Sequence, residues 1–211
     1  MTSSTRLRSW FEDLEKQTHA ARLGMWAFIA SEALLFTGLF ALYAGYRTTY
    51  PQAFGEAAAH TDLVLGSAMT FVLVTSSFAV AVGLGGVREN RPRWTMPSLL
   101  TAIVLGFVFL GLKATEYAEH FRHGIFPGHY YRFAELSEPG ARIFFTLYYV
   151  MTGLHALHVI GGIALLAALA WSTHRGRWTA GYHTPLELGG MYWHFVDVVW
   201  LFLWPLFYLL R

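Results

Sequence analysis

The chain has 211 residues, 55% of them hydrophobic and 13% charged. Soluble domains carry about 25% charge, so this share excludes an ordinary water-soluble globule. A net charge of +2 with no long basic run disfavours nucleic-acid binding. The absence of cysteine excludes disulfides, iron–sulfur clusters, thiolate copper sites and covalently attached c-type haem.

Residues 1–22 form an arm without the continuous apolar core and small-residue cleavage site of a secretory signal. Within it, Ser9 and Glu12 have the spacing of a capping box. Trp10, Phe11 and Leu14 share one face, which predicts a short interfacial helix lying on the membrane. A bilayer core needs roughly 20 apolar residues per helix. Five stretches meet that length, at about 23–46, 63–87, 96–118, 143–172 and 186–210. The fourth exceeds it and must tilt or project. The predicted fold is therefore all-α, a polytopic bundle of five transmembrane helices over 23–211 behind a cytoplasmic arm. The largest connector, 119–142, contains the turn signals Pro127-Gly128 and Pro139-Gly140.

Small residues recur at Thr75, Ala79 and Gly83, at Ala102 and Gly106, and at Gly153 and Gly161, where helices can approach closely. Tyr192, Trp193, Trp200 and Trp204 fit contacts to lipid or to another subunit. The connectors set the orientation. Nine Lys and Arg residues (Arg6, Arg8, Lys16, Arg22, Arg88, Arg91, Arg93, Arg175, Arg177) fall on one side, against five (Arg47, Arg122, Arg132, Arg142, Arg211) on the other. The excess puts the N-terminus in the cytoplasm and the C-terminus outside.

Ionisable groups inside spans are the informative residues, because charge in hydrocarbon is expensive. Glu32, His155, His158, His194 and Asp197 all fall near mid-membrane on three spans, and they can satisfy one another by hydrogen bonds. Three readings stand: a polar knot that fixes packing, a proton-handling site, or a haem or metal site with His155 and His194 as axial ligands. Near the outer end of the third span, Lys113 and Glu116 are three residues apart and predict an ion pair that anchors the helix end. No nucleophile–base triad, phosphate loop or dinucleotide fingerprint is present.

Four segments carry a family resemblance. The run MYWHFVDVVWLF (191–202) resembles the last helix of subunit III of haem-copper oxidases. FIASEALLF (28–36) resembles the family's first shared helix with its intramembrane glutamate, here Glu32. KATEY (113–117) and TGLHALHV (152–159) resemble two further family motifs, in the family's order. The Thr75-Ser76-Ser77 region is only a loose fit.

The resemblance implies a subunit of an oxidase complex, cytochrome c oxidase or quinol oxidase, in a bacterial cytoplasmic membrane. It implies no catalytic residue, haem or copper in this chain. The redox centres would lie in subunit I, the main contact, and in subunit II, with bound phospholipid at the surface. The subunit would support proton uptake and the durability of oxygen reduction, with Glu32, His155, His158, His194 and Asp197 as its polar core. Seven-helix members have two helices before the shared part, where this chain has its arm. The accessory subunit of a nitric oxide reductase and a small b-type cytochrome with bis-His haem are the alternatives.

Overall fold

A computed structural model of the chain describes residues 13–89, 92–133, 136, 138–179 and 181–210. Helix α1 (Leu14–Thr49) opens at Asp13, whose carboxylate accepts the Lys16 amide at 2.7 Å. Residues 14–22 therefore continue the first span and do not form a separate interfacial helix. No Gly or Pro interrupts them, and Leu, Glu, Lys, Ala and Arg all favour helix. The Ser9–Glu12 motif with Trp10 and Phe11 lies outside the described residues. At 1.5 Å per residue, the 36 residues of α1 reach about 54 Å, so α1 overhangs a bilayer core of about 30 Å.

Helix α2 (Pro51–Ala59) is too short to span and was not anticipated from apolar run length. Pro51 presets its first turn, and Ala53, Phe54, Ala57 and Ala58 bury against the start of α5. Asp62 then caps α3 (Leu63–Arg88), accepting the amides of Val64 and Leu65 at 2.8 and 3.0 Å. A single 3-10 turn, Pro92–Trp94, leads into α4 (Thr95–Arg122). After the connector come α5 (Pro139–His174) and α6 (Thr184–Trp204), and α6 runs on as a π-turn over Pro205–Leu209. Five helices among the described residues are long and apolar enough to cross a membrane. We call the end where α1, α4 and α6 begin proximal, and the opposite end distal.

Close packing depends on a few small residues. The buried line of α3 is Gly66, Met69, Leu73, Ser76, Val80, Gly83 and Val87. Of the expected small-residue stripe on this helix, only Gly83 lies on it, and an added Cβ there would stand 3.1 Å from the Ser98 Cβ. On α5 the tight approaches are at Gly140, where a Cβ would stand 2.7 Å from the Ala53 Cβ, and at Gly162, where it would stand 2.6 Å from the Trp193 ring; at Gly153 the nearest neighbour is 3.9 Å away. Gly106 on α4 has the same indole 3.0 Å off, so Gly106 and Gly162 form the notch that seats Trp193.

Trp193 and Trp200 are therefore core residues, not the lipid-facing or subunit-facing contacts expected for them. Their indole N–H groups donate to Ser76 Oγ and Thr70 Oγ1, each at 3.0 Å, which satisfies the polar edge of a buried ring.

Helix α1 stays peripheral, and among its described side chains only Phe36 and Tyr43 join the buried core. It nonetheless holds the chain's distal turn. The Tyr43 hydroxyl donates to the Leu206 carbonyl at 2.6 Å, and the Arg47 guanidinium donates to the Leu210 carbonyl at 3.0 Å. From the corner before α3, Thr61 Oγ1 donates to the Phe207 carbonyl at 2.9 Å. These bonds occupy carbonyls that a π-turn leaves open. In the connector, Tyr131 stacks on Phe145 with centroids 6.0 Å apart, and burial pushes its phenol up to about 12.

Candidate functional site

Glu32 and His158 meet at mid-membrane. Glu32 lies halfway along α1 and His158 halfway along α5, and Oε2 of the first is 3.0 Å from Nε2 of the second. Both side chains are largely shielded, at 20% and 14% exposure. Phe36 closes over the imidazole edge-on at 5.3 Å. His158 Nδ1 stands 2.9 Å from the Leu154 carbonyl, which can only accept, so Nδ1 carries a hydrogen. A neutral imidazole would then present a bare lone pair to Glu32. The contact therefore requires one further proton, on Nε2 or on the carboxyl, and the pair shares it.

The other three groups do not join this pair, so the five-residue cluster resolves into separate contacts. His155 is fully buried, with its ring edge-on to Phe109 at 5.5 Å and beside Trp200 at 5.2 Å, and its Nε2 donates to the Val196 carbonyl at 3.1 Å. His194 Nδ1 is 2.5 Å from Ser77 Oγ on α3. Asp197 is buried with neither carboxyl oxygen hydrogen-bonded among the described residues. His155 and His194, the pair of the bis-His haem reading, sit in separate contacts, the first among aromatic rings and the second on Ser77. The periodicity that put all five at one depth says nothing about helix rotation, and rotation separates them.

Lys113 and Glu116 do form an ion pair, at 2.8 Å, but not as an interfacial anchor. Each is only 3% exposed. The ammonium also donates to the hydroxyls of Tyr148 and Tyr208, both at 2.9 Å, which uses all three of its hydrogens. The Tyr208 hydroxyl donates in turn to the Glu116 carboxylate at 2.8 Å. The rings of Tyr117, Tyr148, Trp200 and Tyr208 surround the ammonium, the nearest centroid at 4.4 Å. Thr152 Oγ1 donates to the Tyr148 carbonyl at 2.6 Å, so the Tyr117 hydroxyl donates to Thr152, also at 2.6 Å.

A second charged knot closes the proximal end. Glu187, in the first turn of α6, accepts Arg22 of α1 at 2.6 Å and Arg88 of α3 at 2.7 Å, with His183 Nε2 at 3.2 Å. Sequence reasoning counted these arginines only as topology signals. A carboxylate at the same membrane level was the signal for the knot. Ser77, Tyr148 and Tyr208 carried no comparable signal, since hydroxyls are common in spans and cost little there.

Five helices long and apolar enough to cross a membrane, with ion pairs among them, define a polytopic membrane protein. Residues 12–210 match the family of cytochrome c oxidase subunit III, and the chain belongs to that family of haem-copper oxidase subunits. It is 33% identical over 189 residues to cytochrome c oxidase subunit 3 of Thermostichus vulcanus, covering 89% of this chain and 86% of that protein. The corresponding protein of Synechocystis sp. is 30% identical, over 89% of this chain and 74% of the relative. A probable quinol oxidase subunit 3 of Staphylococcus aureus is 29% identical, over 93% and 94%.

Proposed function

We propose that this chain is the non-catalytic subunit III of a bacterial cytochrome c oxidase, a proton-pumping complex of the cytoplasmic membrane. In this reading it docks mainly on subunit I, meets subunit II, and supports proton uptake and the durability of oxygen reduction. Haem and copper belong to those partners. The N-terminus is cytoplasmic and the C-terminus outside. A phospholipid acyl chain fits the apolar groove of about 420 Å³ between α1 and α6, lined by Trp26, Ile29, Phe195 and Val198, with Arg22 at its end for the headgroup.

One observation carries the proton role: the Glu32–His158 contact, which requires a shared proton at mid-membrane. Cytochrome c is preferred over quinol because the relatives named for it are 33% and 30% identical, against 29% for the quinol oxidase relative. Co-purification with a subunit II bearing a dinuclear copper site decides that choice.

The proton role is tested by Glu32→Ala and Glu32→Gln in the assembled oxidase. Oxygen consumption is followed over many turnovers at neutral and alkaline pH. Both variants should keep the haem spectrum and lose rate or lifetime, most at alkaline pH where protons are scarce. Glutamine can still donate a hydrogen bond to His158 but has no exchangeable acid proton. A Glu32→Gln enzyme with wild-type rate, pH profile and lifetime makes the contact purely structural and overturns the proton role.

A further inference from the structure

At the distal end, a cleft of about 530 Å³ opens beside the buried ion pair, and its polar walls are His60, Asp62, Glu116, Glu119, His120 and His123. His120 stands apart among these groups. It is 5% exposed, and its Nδ1 has no hydrogen-bond partner among the described residues. His60, His123, His155, His158, His183 and His194 each commit a ring nitrogen to a carbonyl or hydroxyl. Nδ1 is buried, so a proton from the cleft reaches the ring at Nε2, which no hydrogen bond among the described residues occupies.

We propose that His120 is an acid sensor for the outer phase: a proton taken from the cleft turns its ring into a cation beside the Lys113–Glu116 pair and loosens the C-terminal turn that carries Tyr208. Lys113, Glu116 and His120 lie at i, i+3 and i+7 on one face of α4. With a neutral ring, the buried set of one ammonium and one carboxylate sums to zero. The incoming proton, supplied by hydronium or buffer acid, makes it +1 and breaks no covalent bond.

The groups that face the ring are few. From α4 come Lys113, Glu116, Glu119 and His123. Tyr148 of α5 has its ring 5.3 Å away, and Tyr149 lies at 6.4 Å. His60 and Asp62 stand across the cleft. Asp62 spends one oxygen capping α3, and Glu119 pairs with Arg122 and His123 at 3.4 and 3.6 Å. Glu116 is thus the buried anion on the ring's own helical face, and an imidazolium competes for it with Lys113 and Tyr208. Tyr208 sits in the π-turn, where the Leu210 amide donates to the Pro205 carbonyl at 3.0 Å, so a loosened Tyr208 is read at that amide.

The test uses the assembled oxidase in vesicles, with inner pH fixed and outer pH stepped from about 7.5 to about 5.5, a range that spans imidazole titration. This end faces outward on the orientation proposed above; the inference does not depend on the role of Glu32. Hydrogen exchange of residues 205–210, corrected for the intrinsic pH effect, is followed by mass spectrometry. In wild type, protection should fall by at least about tenfold, well within the effect of one unit charge a few ångström away near a protein surface. His120→Gln should abolish the fall, while His123→Gln keeps it. A flat wild-type response, a response that persists in His120→Gln, or one lost in His123→Gln overturns the proposal. Should neither His120→Gln nor His120→Asn assemble, the wild-type ring is read directly by C2–H exchange in deuterated outer buffer. The His120 rate should follow outer pH, and a rate as slow as that of His155 overturns the proposal.

Discussion

Removing one partner of the Lys113–Glu116 pair should be far more damaging than removing both charges. Lys113→Met leaves a carboxylate that is 3% exposed, with only the Tyr208 hydroxyl to hold it. Breaking a buried pair in this way destabilises by about 3–5 kcal/mol. Glu116→Gln leaves the ammonium, but the cage of four rings and two tyrosine hydroxyls remains, so its loss should be about 1 kcal/mol smaller. The double variant has no net charge to strand. It loses packing and some tyrosine hydrogen bonds, about 1 kcal/mol each, and should fall only about 2 kcal/mol below wild type. The singles would sum to about 5–9 kcal/mol, which implies a coupling of several kcal/mol. The assay is the heat or detergent midpoint at which the subunit leaves the purified oxidase, with the haem spectrum as control. A double variant as weak as the sum of its singles, or singles within about 1 kcal/mol of wild type, would refute the view that charge neutrality holds this corner together.

Three further outcomes are expected. Gly162→Val should drive a side chain into the Trp193 ring, already 2.6 Å from where a Cβ would stand. Overpacking of this kind destabilises by about 1–3 kcal/mol, and a blue-shifted, unquenched tryptophan emission with an unchanged midpoint would contradict it. Glu187→Gln should weaken the proximal staple by about 1 kcal/mol for each arginine contact, and less at high salt because both arginines are about half exposed, at 52% and 55%. A midpoint that does not move with salt in wild type would show that the staple contributes nothing. A periplasmic reporter fused after Arg211 should be active outside, from the nine-to-five excess of Lys and Arg on the opposite side; activity only in the cytoplasm would invert the orientation.

The five spans were legible because hydrocarbon demands about twenty apolar residues per crossing, and few other constraints write such long runs. Their ends were less so. The α1 start at Leu14 falls in a polar stretch whose helicity comes from propensity and the Asp13 cap, and hydropathy registers neither. Helix α2 showed only local signals, Pro51 at its start and an alanine-rich body. Glu32 and Lys113 stood out because charge in a span needs a partner. Which partner each found depended on helix rotation and crossing. His158 therefore met Glu32, while neither carboxyl oxygen of Asp197, at the same depth, is hydrogen-bonded among the described residues, and Tyr208 reached Lys113 from the π-turn after Pro205.

The ammonium cage also orders the events of membrane insertion. Helices emerge from synthesis in chain order, so α4 enters the bilayer with Lys113 and Glu116 having only each other. Tyr148 arrives with α5, a full span later, and Tyr208 arrives with the π-turn after α6. Tyr43, Arg47 and Thr61, all inserted long before, then clasp the carbonyls of that turn. The buried ammonium thus gains its full set of partners only after α6 and the π-turn that follows it have docked.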